Sequence, residues 1–206
     1  MSDEIVLSYE DSLLRQSDVR LLDEPNWLND RIIGFCFQYY EYDLYNSADI
    51  AYISPDVTQL IKLSPTEELD ILLSSLDLKS KKLIFFAVNS NLSLNQAGGS
   101  HWSLLVFENQ EFFHYDSMNA SNRHSALLMA RQMAAHLGVA LKFTDAECPQ
   151  QRGSHECGMY VVCCTEYLCR KKLGLVDIPL HDAVTASSVA QKRHELKRVI
   201  GELAAR

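Results

Sequence analysis

The sequence predicts an α+β domain, helical at the start, with strands clustered in the middle and helices again towards the end. Three stretches carry that reading. Ile32, Ile33, Phe35, Phe37, Tyr39 and Tyr40 follow Asn29-Asp30, a pair suited to capping a helix. Residues 82–88, KLIFFAV, are a short apolar run with an Ile and two Phe, the pattern of a buried strand. From Cys157 to Arg170 the chain is apolar over a helical length and ends in Arg170-Lys171-Lys172, cations that suit a helix C-terminus.

In chain order, the N-terminal third reads as helical. Ser54-Pro55-Asp56 opens a helix through Val57, Leu60 and Ile61, and Pro65 sits in the first turn of another that ends near Leu73. The strand at 82–88 leads into a polar loop, NSNLSLNQAGGS, in which Gly98-Gly99 gives backbone freedom before His101. Two strands follow at 101–107 and 111–115, joined by Glu108-Asn109-Gln110. Leu127, Leu128, Met133 and Ala134 mark an amphipathic helix over 123–137 that Gly138 stops. A strand is expected at 139–143 and a last helix at 187–204.

The chain has 206 residues, which suits one domain over 1–206 and a core that needs no disulfide or metal. A formal net charge of -8 argues against nucleic acid as a partner, since phosphate binding needs clustered Lys and Arg. The opening MSDEIVLSYEDSLLRQSD lacks the apolar core of a signal peptide, and no run of membrane-spanning length occurs. Six cysteines in that setting predict free thiols and a reducing compartment, the cytoplasm or nucleus. Cys157, Cys163, Cys164 and Cys169 crowd one segment without the paired short spacings of a zinc site, so no metal is expected.

The chemistry begins at the hairpin. With the turn centred on Asn109, position 102 faces 116, and His101 and Asp116 lie at the same end of adjacent strands. Cross-strand Cβ atoms are about 4.5–5.5 Å apart. A carboxylate there can fix the tautomer of an imidazole whose other nitrogen takes a proton. Cys157 opens a helix, where partial positive charge and unpaired N–H groups favour a thiolate, and Gly158 would let a substrate backbone pass close to the sulfur. The other three clustered cysteines lie inside the helix and read as core. An oxyanion needs a side-chain amide beside a backbone N–H. Gln151 and Gln150 both stand at a suitable distance before Cys157, and spacing does not choose between them.

Trp27-Leu28-Asn29-Asp30, Gly99-Ser100-His101-Trp102, Tyr115-Asp116-Ser117 and Gln151 through Cys157-Gly158-Met159-Tyr160 resemble, in order and spacing, the motifs of the Ulp/SENP cysteine proteases. The resemblance is dense over 5–62, 82–117 and 148–169. The opening IVLSYEDSLLRQSDVRLL with PNWLNDRIIGF is similar to the family's deneddylase branch. It implies a papain-like fold, with a mostly antiparallel central sheet flanked by helices, and a cysteine protease that removes the ubiquitin-like neddylation modifier and processes its precursor. Carried over by position, His101 is the base, Asp116 its orienter, Cys157 the nucleophile and Gln151 the oxyanion donor. Trp27 and Trp102 flank a tunnel for the modifier's Gly-Gly tail, Asp30 meets a basic residue of the modifier, and Gln96 with the loop 89–100 contacts substrate. The implied partners are the modifier and its conjugates, cullins among them, with no cofactor, no membrane and a monomeric chain.

Two other functions fit the same residues: a SUMO-directed protease, and a modifier-binding module without activity. The intact His101, Asp116, Gln151 and Cys157 speak against the second. The chain departs from the family at Glu156, where an Asp commonly precedes the nucleophile, and at Arg152-Gly153-Ser154-His155, which puts the geometry of that loop in question. His155 is expected in solvent, and His114 as structural or surface.

Overall fold

The computed structural model describes residues 3–96 and 98–206, so Ala97, inside the expected substrate loop, lies outside the described residues. The chain opens with an antiparallel hairpin, β1 (Ile5–Tyr9) and β2 (Ser12–Arg15), where helix was expected. Leu7 and Leu14 face each other across it and are buried, while Ile5 and Leu13 are exposed. That two-sided pattern is what a strand pair produces. A short helix α1 (Gln16–Arg20) leads to α2 (Asp30–Tyr39), capped as expected by Asn29, whose side chain accepts the Ile32 N–H at 3.1 Å. After a wide turn at Tyr40–Leu44 comes β3 (Ile50–Ile53), four buried residues too short to show a period in the sequence. Ser54 caps α3 (Pro55–Leu63), and a 3-10 turn at Thr66–Glu68 precedes α4 (Leu69–Leu72).

The remaining elements are β4 (Leu83–Asn89), β5 (Trp102–Glu108), β6 (Glu111–Tyr115), α5 (Arg123–Leu137), β7 (Phe143–Asp145), α6 (Cys157–Lys172), α7 (Leu180–Ala183) and α8 (Ala186–Ala204). The last strand of the sheet thus starts where the sequence placed its end. The sheet runs β3-β4-β5-β6-β7. Its long central pairings, β4 with β5 and β5 with β6, are antiparallel, and each flank adds a short parallel strand. The β5–β6 turn is two residues, Asn109 and Gln110, both at positive φ, so Leu104 faces Tyr115 and the register is one residue off the sequence estimate.

Both faces of the sheet are covered, which explains the continuous apolar run of β4. Phe85, Leu104 and Val106 join Ile33 and Phe37 of α2, Val162 of α6 and Ile200 of α8 in one core. Ile84, Phe86, Val88 and Leu105 face the other way, against Ile61 of α3 and Met129 and Met133 of α5. Each such side chain contributes about 1.5–3 kcal/mol of burial, so both helical layers are firmly seated. Helix α6 packs on β5, which brings its N-terminus to the end of the sheet where β5 starts and β6 stops.

Candidate active site

His101, Asp116 and Cys157 meet at that end. His101 directly precedes β5, Asp116 directly follows β6, and Cys157 is the first residue of α6; all three are buried. His101 Nε2 and Asp116 Oδ1 are 2.6 Å apart, so the one-residue change in register leaves the pair intact. With Nε2 committed to Asp116, Nδ1 is the ring nitrogen left for the thiol. Burial opposes charge on the His101 ring, but its hydrogen bond to Asp116 and the Cys157 partner outweigh that and push its pKa up to about 9. Asp116 shows the converse balance. Burial disfavours its charge, yet the His101 bond and the backbone N–H groups of Asn122 and Met118, each 2.9 Å away, hold it below the ordinary carboxylate range. Asn122 is itself anchored, donating to Val88 O and Ser103 Oγ.

The two glutamines of the loop before the nucleophile are engaged differently. Gln150 gives its amide hydrogens to Asp116 O and Cys148 O and accepts the Asn119 N–H, so its side chain is spent on holding the loop. Gln151 accepts from Ser117 Oγ at 2.8 Å and donates to Gly153 O at 2.8 Å, leaving one amide hydrogen uncommitted. Glu156, the departure from the family pattern, accepts the Arg152 and Gly153 N–H groups at 3.0 and 2.8 Å. It therefore closes the loop on itself and does not cap α6. The first N–H groups of that helix are left to face the sulfur and any oxyanion near it. His155, expected in solvent, is half-buried and packs on Gly153.

A cleft of about 290 Å³ reaches this cluster, lined by Trp27, Leu28, Asp30, Gly99, His101 and Trp102 among others. Trp27 is 45% exposed at its mouth. Trp102 is half-buried and donates its indole N–H to Leu28 O at 3.1 Å. Leu28 also explains Gly158: a Cβ on that glycine would lie 2.9 Å from Leu28 Cβ, so Gly158 serves the close approach of α6 to the tryptophan segment. Asp30 is half-buried at the start of α2 beside Asp56, whose carboxyl is raised by burial and by the Asp30 charge. Gln96 is exposed and stands outside the cleft lining, its carbonyl accepting from Asn91 Nδ2.

Arg193 of α8 carries no signal in the sequence. Its buried guanidinium donates to Leu21 O and Asn26 O on the tryptophan side of the cleft and to His155 O on the nucleophile side. One side chain thus ties both walls together, and its partners are backbone carbonyls that no residue pattern reveals. Ser117, which orients Gln151, was visible only as part of a motif.

The remaining cysteines behave as core. Burial raises the Cys36 thiol and pushes Cys163 and Cys169 up, the latter two to about 12. Cys164 is raised well above its ordinary value by a hydrogen bond with Cys148 and by burial. Only Cys157 combines a helix start with an imidazole partner, and that arrangement defines a cysteine peptidase. Residues 26–174 match the Ulp1 protease family, C-terminal catalytic domain, and the chain belongs to that family. It is 45% identical to human Sentrin-specific protease 8 across 98% of this chain and 99% of that protein. It is 35% identical to NEDD8-specific protease 1 of Arabidopsis thaliana, over 81% of this chain and 76% of the relative. Among solved structures, the yeast Ulp1 protease domain in complex with Smt3, the yeast SUMO ortholog, superposes with a TM-score of 0.74 at 17% identity, covering 100% of this chain and 90% of that one; this is a likeness of fold.

Proposed function

We propose that this enzyme is a deneddylase: a thiol isopeptidase that removes NEDD8 from conjugated proteins and processes its precursor after the C-terminal Gly-Gly. The observation that carries the modifier assignment is the similarity, over four-fifths of the chain, to a protease named for NEDD8. In the proposed cycle, the Cys157 thiolate attacks the carbonyl of the modifier's last glycine. The Gln151 amide and the Cys157 N–H receive the oxyanion, and the His101 imidazolium protonates the leaving lysine amine. His101 then takes a proton from water as it hydrolyses the thioester. No metal or organic cofactor enters these steps.

Trp27 and Trp102 are the proposed walls for the Gly-Gly tail, and Asp30 with Asp56 the proposed acidic contact for a basic residue of the modifier. Gln96, outside the cleft, is left to the body of the modifier. Cullins are the proposed conjugates, the cytoplasm and nucleus the proposed compartments, and a monomer the proposed state.

Hydrolysis of C-terminal fluorogenic amides of NEDD8, SUMO and ubiquitin tests the assignment. Rapid Cys157-dependent release from the NEDD8 substrate alone is the expected result, and a clear preference for SUMO would overturn the modifier assignment. On the preferred substrate, Gln151→Ala is expected to lower kcat by about 10²–10³-fold with KM little changed, because the amide acts on charge that develops only in the transition state.

A further inference from the structure

Behind Asp116, on the side away from His101, lies a second histidine that the proposed cycle does not use. His114 and Asp116 are two residues apart, so they share a side of β6, and the His114 side chain has no solvent exposure. Its Nδ1 is 2.8 Å from Asp145 Oδ1 on β7, and its ring packs beside Phe143 at 5.9 Å. The second Asp145 oxygen accepts from Arg123 Nε of α5 at 2.7 Å. A carboxylate accepts and does not donate, so Asp145 fixes the hydrogen of the neutral ring on Nδ1. Nε2 is then a lone pair without a hydrogen-bond partner, 3.9 Å from Asp116 Oδ2.

We infer that His114 is a positioning residue that, through Asp116, sets the acid limit of catalysis. The inference rests on the assignment of His101, Asp116 and Cys157 above. The charged or titratable groups around the ring are Asp116 beyond β6, Asp145 on β7, His101 before β5, and Arg123 on α5 acting through Asp145. Burial, together with the His101 charge, outweighs the two carboxylates and keeps the ring neutral to below the ordinary histidine range. Acidification adds a proton at Nε2, which turns the unpartnered lone pair into a donor aimed at Asp116. The carboxylate then serves two cations. Its hold on the His101 imidazolium weakens, and the thiolate–imidazolium pair that starts the cycle loses its support. Because His101 and His114 share one counter-charge, their protonations are coupled and the effect is reciprocal.

The test compares normalised kcat/KM–pH profiles of the wild type, His114→Phe and Asp145→Asn. His114→Phe removes the titrating ring while keeping its shape beside Phe143. Asp145→Asn sits at the half-exposed end, leaves the ring in place and lowers its proton affinity. Both are expected to move the acid limb to lower pH by roughly half a unit, and His114→Phe to reduce its steepness to that of one proton. Acid limbs of the folded variants that superimpose on the wild type would overturn the role. If His114→Phe does not fold, Asp145→Asn carries the comparison.

A readout independent of turnover is the ¹⁵N NMR titration of the His101 ring in the Cys157→Ala background. Two inflections are expected, one shared with His114, and a single inflection in the added presence of His114→Phe. A single inflection with His114 intact would overturn the coupling even if the protease assignment stands. Loss of all Cys157-dependent turnover in the wild type would remove the assignment and leave the NMR result to report the coupling alone.

Discussion

Cys157→Ala is expected to abolish turnover, with kcat falling by at least about 10⁴-fold, while affinity for the modifier stays within a few-fold of wild type. The two outcomes separate because Cys157 is 2% exposed at the start of α6, whereas the neighbouring cleft that reaches His101 is lined by other residues. Removing one sulfur deletes the covalent step and leaves the tryptophan walls, the Leu28 contact and the loop held by Glu156 as they are. Calorimetric titration with the modifier beside a single-turnover assay checks both halves. Cleavage by the variant above a trace would sink the nucleophile assignment, since among the described residues no other cysteine has an imidazole partner, burial raises Cys36, Cys163 and Cys169 away from reactivity, and the Cys148 hydrogen bond with burial does the same for Cys164. A thiol-reactive C-terminal warhead on the modifier gives a third reading: it should label the wild type and spare Cys157→Ala.

Asp116→Asn should cost about 10²–10⁴-fold in kcat and should also change the pH profile. The sign follows from the folded-state proton affinity of His101, raised to about 9 by Asp116 and Cys157 against burial. The imidazolium is present below that value and lost above it, so wild-type turnover should fall as pH rises through about 9. Taking away the Asp116 charge removes a principal support, and the alkaline limb should move down towards neutrality. The same linkage acts on stability. A histidine whose pKa is raised on folding stabilises fully below its unfolded value, near 6.5, and its contribution is lost as pH rises through about 9. Urea melts at several pH values should show the wild-type advantage over Asp116→Asn shrinking across that window. An alkaline limb that does not move in Asp116→Asn would separate Asp116 from the base. The Asn122 and Met118 N–H groups would also lose a charged acceptor, which adds about 1–3 kcal/mol of instability.

The chemistry was more legible in the sequence than the outer parts of the fold. His101, Asp116 and Cys157 each sit at the edge of an element with a strong pattern, so a correct reading of β5, β6 and α6 brings them together even with the hairpin register off by one. That error came from the turn: Asn109 and Gln110 both take positive φ without a glycine to mark the position. The β1–β2 hairpin was read as helix for a similar reason. Its strands are of five and four residues, and Glu10 carries the positive φ of its turn, where Asn or Gly would have signalled one. Spacing leaves Gln150 and Gln151 equivalent, the family resemblance favours Gln151, and only the hydrogen bonds of both amides show how differently the two side chains are engaged. The place of Gly158 beside the nucleophile suggests a role toward substrate, and only the three-dimensional neighbour, Leu28, shows that it also accommodates the packing of α6.

Arg193 also bears on the order in which the cleft is assembled. Its contact with Leu21 joins positions 172 apart in sequence, and the same guanidinium reaches His155. Contacts of such separation close late, after local helices and hairpins have formed. The catalytic residues all precede Arg193 in the chain, so the two walls lack their shared tie until α8 docks. A chain in which α8 has not docked is therefore expected to carry every catalytic group without a braced cleft.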